Sequence, residues 1–483
     1  MTANQPSITV VGAGVGGLAT AARLASRGYQ VAVYEKLPRC GGRAHIIEDS
    51  GFKFDTGPSF VLMPDFFQEV FTSCGEKIED YLDLKVLEKS YQIFYADGRS
   101  LTVHRDSERT KQEFEAIEPG SSQGFDGFIR EATAVYEAVK PLLYRCFTRR
   151  DIFDARNWPL ILRLKPLQTY WQLAQKYFKS EALCYAMTFE AMFIGVSPFE
   201  TPGFYSIITY TDHVQKIAHP IGGMYEIPRA LERLGKKFGV RYHYNQEINA
   251  VDPEPNRVVL KTKDKEISAE KVVFNADYCF TQTDLLQRRI PRYDYSCSVY
   301  LLYLGMKCKV DGLEHHNLFF ARDLQKNLRQ IFKDQVMVDE PSFYIHVPTV
   351  TDPSLAPPGK DILYILIPVS NLERPGHEFA DYEHRLRNYV INKTNTALGI
   401  NLEDLIEVEH HFYPEDFIKR YNIKYGATFG LAHTLFQSAF LRPANRDGRN
   451  SNVYYVGAST QPGGGLPPVL ASSRIVADLI TGA

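Results

Sequence analysis

The residues best suited to chemistry lie near the two ends of the chain. Gly12-Ala13-Gly14-Val15-Gly16-Gly17 is a GxGxxG pattern. An acid, Glu35, follows at about the twenty-residue distance at which a carboxylate takes the ribose hydroxyls of a dinucleotide. In such a site Gly12 makes the tight turn, Gly14 lets the backbone approach a pyrophosphate, and Gly17 lets a helix pack closely on a strand. Near the other end, Gly457-Ala458-Ser459-Thr460-Gln461-Pro462-Gly463-Gly464-Gly465-Leu466-Pro467-Pro468 is a second glycine-rich loop.

These loops need particular elements on either side. Ile8-Thr9-Val10-Val11 is a short apolar, β-branched run suited to a buried parallel strand. Leu18 to Arg27 reads as an Ala- and Leu-rich helix stopped at Gly28, and Tyr29 to Tyr34 as a second strand ending on Glu35. The helix start supplies free N–H groups and a positive dipole end for phosphates. Val453 to Val456 reads as a strand feeding the C-terminal loop, and Val469 to Ile480 as the helix behind it, with prolines suited to a first turn.

Past Glu35 come Cys40-Gly41-Gly42-Arg43 and then Phe54-Asp55-Thr56-Gly57-Pro58. On these residues the chain resembles the flavin-containing amine oxidase and carotenoid desaturase superfamily. The resemblance implies FAD as cofactor, with Gly41, Gly42 and Arg43 near its pyrophosphate and Gly57-Pro58 close to the isoalloxazine. Phe189 to Asp212, His219 to Met224, Pro341 to Tyr344 and Asp352 to Pro357 resemble segments of CrtI-type phytoene desaturases. The C-terminal loop resembles their signature, which implies that Gly457, Gly464, Gly465 and Leu466 lie against the flavin. It further implies that the backbone at Ile248 contacts the adenine, and that Asn275-Ala276-Asp277 ends a strand of the FAD domain. The amine oxidase branch usually carries an acid where Ala458 stands, a departure shared with the desaturases.

The expected fold class is α/β: a Rossmann-like FAD-binding domain, a mixed-sheet substrate domain and an inserted helical region with a membrane-binding surface. Residues 1–110, 219–280 and 421–483 are assigned to the FAD domain, 111–218 to the helical region and 281–420 to the substrate domain. Tyr91 to Tyr95 and Leu101 to Val103, around Asp97-Gly98, form a hairpin. A helix is expected over Phe125 to Tyr144. A three-strand arm is expected from Arg241–Tyr244, Arg257–Lys263 and Lys271–Asp277.

Composition narrows the function. The 483 residues are 44% hydrophobic and 23% charged, a globular balance, and a net charge of −2 argues against nucleic acid as partner. Thirty Phe and 29 Tyr are enough to line a long apolar cavity. Seven scattered cysteines without a CxxC support neither a zinc ribbon nor a disulfide scaffold. No signal peptide and no membrane-spanning run is read. Residues 145–178 hold Arg145, Arg149, Arg150, Arg156, Arg163, Lys165 and Lys176 interleaved with Phe147, Phe153, Trp158, Leu160, Ile161, Leu162, Leu164, Tyr170, Trp171 and Phe178. That mixture suits an interfacial membrane surface ahead of the alternative, a helical cap with solvated charges. His410-His411 are adjacent on an expected strand and face opposite ways, so no metal site is expected.

The resulting expectation is an FAD-dependent desaturase that passes a hydride to flavin N5. Its substrate would be a lipid-soluble polyene, foremost phytoene on the way to zeta-carotene, neurosporene or lycopene. A single GxGxxG leaves no second dinucleotide domain, so oxygen or a quinone is the expected electron acceptor. The expected location is peripheral, on the cytoplasmic side of a membrane. Alternatives are a C30 diapophytoene desaturase, a later-step carotenoid desaturase or isomerase, and a soluble flavin amine oxidase. No catalytic residue is assigned; Glu190 and Asp212 are the acids within the desaturase-like segment.

Overall fold

The computed structural model describes residues 7–148, 151, 154–159, 164–374, 380–438 and 441–482. Its centre is a five-stranded parallel sheet in the order Val453–Tyr455, Lys271–Phe274, Ser7–Val11, Gln30–Tyr34, Arg241–His243. The register places Val10 beside both Val33 and Val273. The middle strands are buried on both faces because helices cover them, which is why their sequences run apolar without alternating. Helix Val15–Ser26 is the inner one: it packs on Glu226–Lys237 to one side and on the C-terminal helix Leu466–Thr481 to the other. Its Arg23, fully buried, bonds to Glu69, Ser73 and Ser473, joining the helical layer through one cation.

That first helix begins at Val15, inside the glycine pattern and not at Leu18. Gly14 is its N-cap with extended backbone, so two of the glycines form its first turn. The early start brings the free N–H groups of that turn to the mouth of the sheet.

The second sheet has seven strands in the order Ile406–Phe412, Ser298–Met306, Asp361–Val369, Phe343–His346, His316–Phe319, Lys89–Phe94, Ser100–His104. All its pairings are antiparallel except that of His316–Phe319 with Lys89–Phe94. The hairpin expected near residues 91–103 is therefore present, but it extends the seven-stranded sheet rather than the nucleotide-binding one. Tyr91, Ile93, Leu101 and Val103 are buried there, and that apolar face needs the helical layer to cover it.

Two sequence expectations are corrected. The three-strand arm consists of Ala250–Pro253, Val258–Lys261 and Glu266–Ala269. Arg241–His243 and Lys271–Phe274 belong to the parallel sheet instead. Lys271–Phe274 has parallel neighbours on both sides, and its Val272, Val273 and Phe274 are buried, a setting no edge arm provides. The helix expected to reach Tyr144 ends at Val139 and continues as a 3₁₀ segment, Lys140–Tyr144. Pro141 cannot donate to the ladder, and the tighter turn absorbs the loss.

The helical layer, from Ser107–Ile117 and Ser121–Val139 through a series of short helices to Thr211–Gln215, closes over the seven-stranded sheet. Within the basic, aromatic stretch, Arg149, Arg150, Phe153, Leu160, Ile161, Leu162 and Arg163 lie outside the described residues. Trp171 packs against Tyr185 and Phe199, with ring centroids 4.6 and 4.8 Å away. Arg145 pairs with Asp151, Arg156 with Asp154, and Lys165 and Lys176 both with Glu131. Among the described residues of the stretch, Trp158 (56% exposed) and Leu167 (85%) are the exposed large apolar groups.

Candidate functional site

One cavity of about 470 Å³ runs from the carboxyl ends of the parallel strands to the face of the seven-stranded sheet. At the first end it is lined by Gly12, Gly14, Glu35, Gly41, Gly42, Arg43 and Ile248. Glu35 terminates its strand, and its carboxylate is fixed from both sides: Oε2 accepts from Ala13 N at 2.7 Å and Oε1 from Leu37 N at 2.8 Å. Burial pushes its pKa up, while those two N–H groups and Lys36 pull it back.

Asn275 ties the glycines together. A Cβ on Gly14 would stand 2.6 Å from Asn275 Oδ1, and one on Gly16 2.9 Å from its Nδ2. Asn275 Nδ2 donates to the Val456 carbonyl at 3.0 Å, linking the N-terminal loop to the strand before the C-terminal one. Gly17 does not line the cavity: a Cβ there would sit 2.2 Å from Gly12 O. Its task is the packing role read from the sequence.

Gly41 (φ +117°) and Gly42 (φ +56°) carry the chain past Gly14 in a backbone that side chains resist. Arg43 then donates to the Thr428 carbonyl, with the Asp277 carboxylate nearby. Gly57 and Pro58 stand against this turn, and a Cβ on Gly57 would lie 2.1 Å from Arg43 O.

From the other side the cavity is closed by Gly457, Gly464, Gly465 and Leu466 and by the first turn of helix Leu466–Thr481. Two residues that sequence reading missed hold this loop. Arg442 is buried, and its N–H groups go to five carbonyls: Thr460, Ala458, Leu431, Ala432 and Gln437. Burial pulls its pKa down to about 10. His433 Nε2 accepts from Gly464 N at 2.9 Å, and burial keeps its imidazole neutral. Neither stands out in the sequence; an Arg in Leu441-Arg442-Pro443-Ala444-Asn445 reads as surface charge until its carbonyl cage is seen.

The far end is apolar, built from Met192, Ile194, Ile207, Ile208, Leu318, Phe320, Leu366 and Phe429. Glu190 and Asp212, the acids singled out from the sequence, do not line it. Both are completely buried behind the helical wall, with Tyr170 OH 3.4 Å from Glu190 Oε2. His410 meets Asp49, and His411 meets Tyr300 and two glutamates.

The cradle fits a flavin dinucleotide on these features: glycines at every close approach, an anchored carboxylate at the strand end, Arg43 beside the turn and a helix start opposite. Comparison with known proteins agrees. The family model for flavin containing amine oxidoreductases matches residues 15–481. A zeta-carotene-forming phytoene desaturase of Myxococcus xanthus is 38% identical over 98% of this chain and 93% of its own. A 4,4'-diapophytoene desaturase of Staphylococcus haemolyticus is 36% identical over 98% of both chains. Among solved structures, an oxidoreductase from Methanosarcina mazei (TM-score 0.63, 17% identity, 97% and 98% covered) shares the fold. So does a redesigned putrescine oxidase (0.65, 14%, 99% of both). With that architecture and those matches across nearly its whole length, the chain belongs to the flavin-containing amine oxidoreductase family and is an FAD-dependent oxidoreductase.

Proposed function

We propose that the chain is a carotenoid desaturase that dehydrogenates phytoene towards zeta-carotene, neurosporene or lycopene. The observation that carries this reading is the continuity of the cavity: the dinucleotide cradle opens directly onto a long apolar wall. Gly12, Gly14, Gly41, Gly42, Arg43 and Glu35 would hold the pyrophosphate and ribose, Ile248 the adenine end, and Gly57, Pro58 and Gly457 to Leu466 the ring. Bound FAD supplies the hydride acceptor. What the protein contributes is alignment and dryness. The apolar side chains confine a polyene to one track, and the closed C-terminal loop keeps water from the reacting carbon. The helix start at Leu466 adds a positive dipole end on that side.

The near-equal similarity to a diapophytoene desaturase favours a second reading, in which the substrate is the C30 polyene. Oxygen or a quinone is the proposed electron acceptor. Peripheral attachment to the cytoplasmic side of a membrane is proposed from Trp158, Leu167 and Phe436 (79% exposed). Leu167 and Phe436 flank one turn: Gly203 N bonds to the Gln168 carbonyl, and Tyr205, a cavity residue, bonds to Ser438. Among the described residues no helix is long and apolar enough to cross a membrane.

The test is a pigment assay. Cells accumulating phytoene, and others accumulating diapophytoene, express the chain, and lipid extracts are read for visible bands. Bands from phytoene support the first reading, and bands from diapophytoene alone support the second. Colourless extracts from both, with folded flavoprotein present, overturn the desaturase assignment.

A further inference from the structure

Three histidines converge where the short strand Ala218–Pro220 meets the seven-stranded sheet. His219 lies on the short strand Ala218–Pro220, His315 directly before the strand His316–Phe319, and His346 at the end of Phe343–His346. All three are buried, and one ring nitrogen of each lies within 4.8 Å of those of the others. His315 Nε2 and His346 Nε2 are 3.0 Å apart. Both ring nitrogens of His219 are buried without any hydrogen-bond partner. A buried imidazole with neither nitrogen satisfied is an exception that calls for an absent partner.

The structure assigns to His219, His315 and His346 a divalent transition-metal site suited to Zn²⁺. Neutral imidazoles are the form that ligates, and burial holds all three there, His219 at a pKa of about 4. Zinc–nitrogen bonds of about 2.0–2.1 Å at tetrahedral angles put ligand nitrogens roughly 3.3 Å apart. The His315–His346 pair is already close to that separation, and His219 completes a face with small side-chain rotation. His315 Nδ1 is engaged with Thr351 Oγ1 at 2.7 Å, the outer-shell contact that fixes a ligating ring and leaves Nε2 for the metal. Among the described residues no carboxylate joins the set, which disfavours magnesium or calcium; Asp352, the acid whose charge reaches His219, is occupied by Gly222 N, Ser354 N and Ser354 Oγ. Its charge still acts on His219 and offsets part of the ion's.

The position suggests what the ion does. His219 leads into the turn before helix Glu226–Lys237, which packs on the nucleotide-binding helix, whereas His346 belongs to the seven-stranded sheet and His315 immediately precedes one of its strands. A metal held by all three pins the short strand to the seven-stranded sheet beside the cavity wall that carries Ser59 and Tyr344. A water would take the fourth tetrahedral position, and the ion's part is this cross-link, separate from the dehydrogenation chemistry.

The untagged holoprotein, purified without chelator and exposed to Zn²⁺ before desalting, is analysed for metal and flavin together. One zinc per FAD is expected, with X-ray absorption showing imidazole scattering, nitrogen or oxygen ligands near 2.0 Å and no sulfur. Chelation should lower the thermal midpoint by several degrees, and Zn²⁺ should restore it; His219→Gln and His346→Gln should lose both the zinc and the response while keeping FAD. Zinc far below one per FAD in the wild type overturns the assignment, as does full zinc retention in a flavin-loaded His219→Gln. If the variants do not fold, the wild-type stoichiometry and ligand type decide alone.

Discussion

Glu190 and Asp212 make a prediction that runs against intuition about buried acids. Both are fully buried, and three of their four carboxyl oxygens have no hydrogen-bond donor: Asp212 Oδ1, Asp212 Oδ2 and Glu190 Oε1. Two facing carboxylates satisfy each other only when a proton sits between them. Burial drives both pKa values up, that of Glu190 to about 8. The unfolded chain ionises Glu190 near 4.5, so the folded state holds a proton that unfolding releases between those values. Stability contributed by protonated Glu190 is therefore complete below pH 4.5 and falls as pH rises to about 8. At roughly 1.4 kcal/mol per pH unit per proton, the gap from 4.5 to about 8 sets a ceiling of roughly 5 kcal/mol.

Glu190→Gln removes that proton and keeps the shape. Unfolding of the variant should release one proton fewer than the wild type across the window, and its melting temperature should fall less steeply with pH. Near pH 8 the variant should be at least as stable as the parent. Scanning calorimetry in buffers of different ionisation enthalpy counts the protons, and flavin fluorescence follows the melt. A variant with wild-type proton release and an unchanged slope would refute the raised pKa of Glu190, and with it the claim that this acid sits uncharged behind the wall.

Arg442→Met should strand five carbonyls and release the loop that carries Gly457 to Leu466, costing about 3–5 kcal/mol; flavin retention after gel filtration and the thermal midpoint measure it. Gly57→Ala forces a Cβ against Arg43 O at 2.1 Å, so the purified protein should be largely flavin-free with near-native circular dichroism. Glu35→Gln should weaken FAD binding roughly ten- to hundredfold, the range for losing a hydrogen bond to a charged group, in a flavin titration of the apoprotein. Leu167→Asp with Phe436→Asp should leave the flavin spectrum unchanged and abolish co-flotation with anionic vesicles; undiminished flotation argues against this apolar rim as the membrane contact.

What could be read from the sequence was whatever local physics determines. A strand that must turn tightly into a helix around a phosphate needs glycines at fixed offsets, so Gly12, Gly14 and Gly17 carry their geometry in their spacing. The same holds for the loop from Gly457 to Leu466, where a strand before and a helix after leave little choice of path. The distinction within that set was not local: Gly14 faces the cavity and Gly17 faces Gly12 O, and only the packing of the helix separates them. Strand membership failed where pairing partners are remote. Lys89–Phe94 follows the nucleotide half in sequence, yet pairs with His316–Phe319 because that edge can bury Ile93 and Tyr91 beneath the helical layer.

The residues that left no trace are those whose meaning comes from convergence. Arg442 is distinguished by five carbonyls drawn from two segments, Leu431 to Gln437 and Ala458 to Thr460. His219, His315 and His346 come from three separate segments with no ligand spacing among them, while the adjacent His410 and His411, the pair that invites a metal in the sequence, are spent on carboxylates and a tyrosine. Burial is the common cause. A buried cation, imidazole or acid needs its compensation from the fold, and both ring nitrogens of His219 and three carboxyl oxygens of the Glu190–Asp212 pair lack it. A bound ion at His219 and a retained proton at Glu190–Asp212 would supply the missing partners.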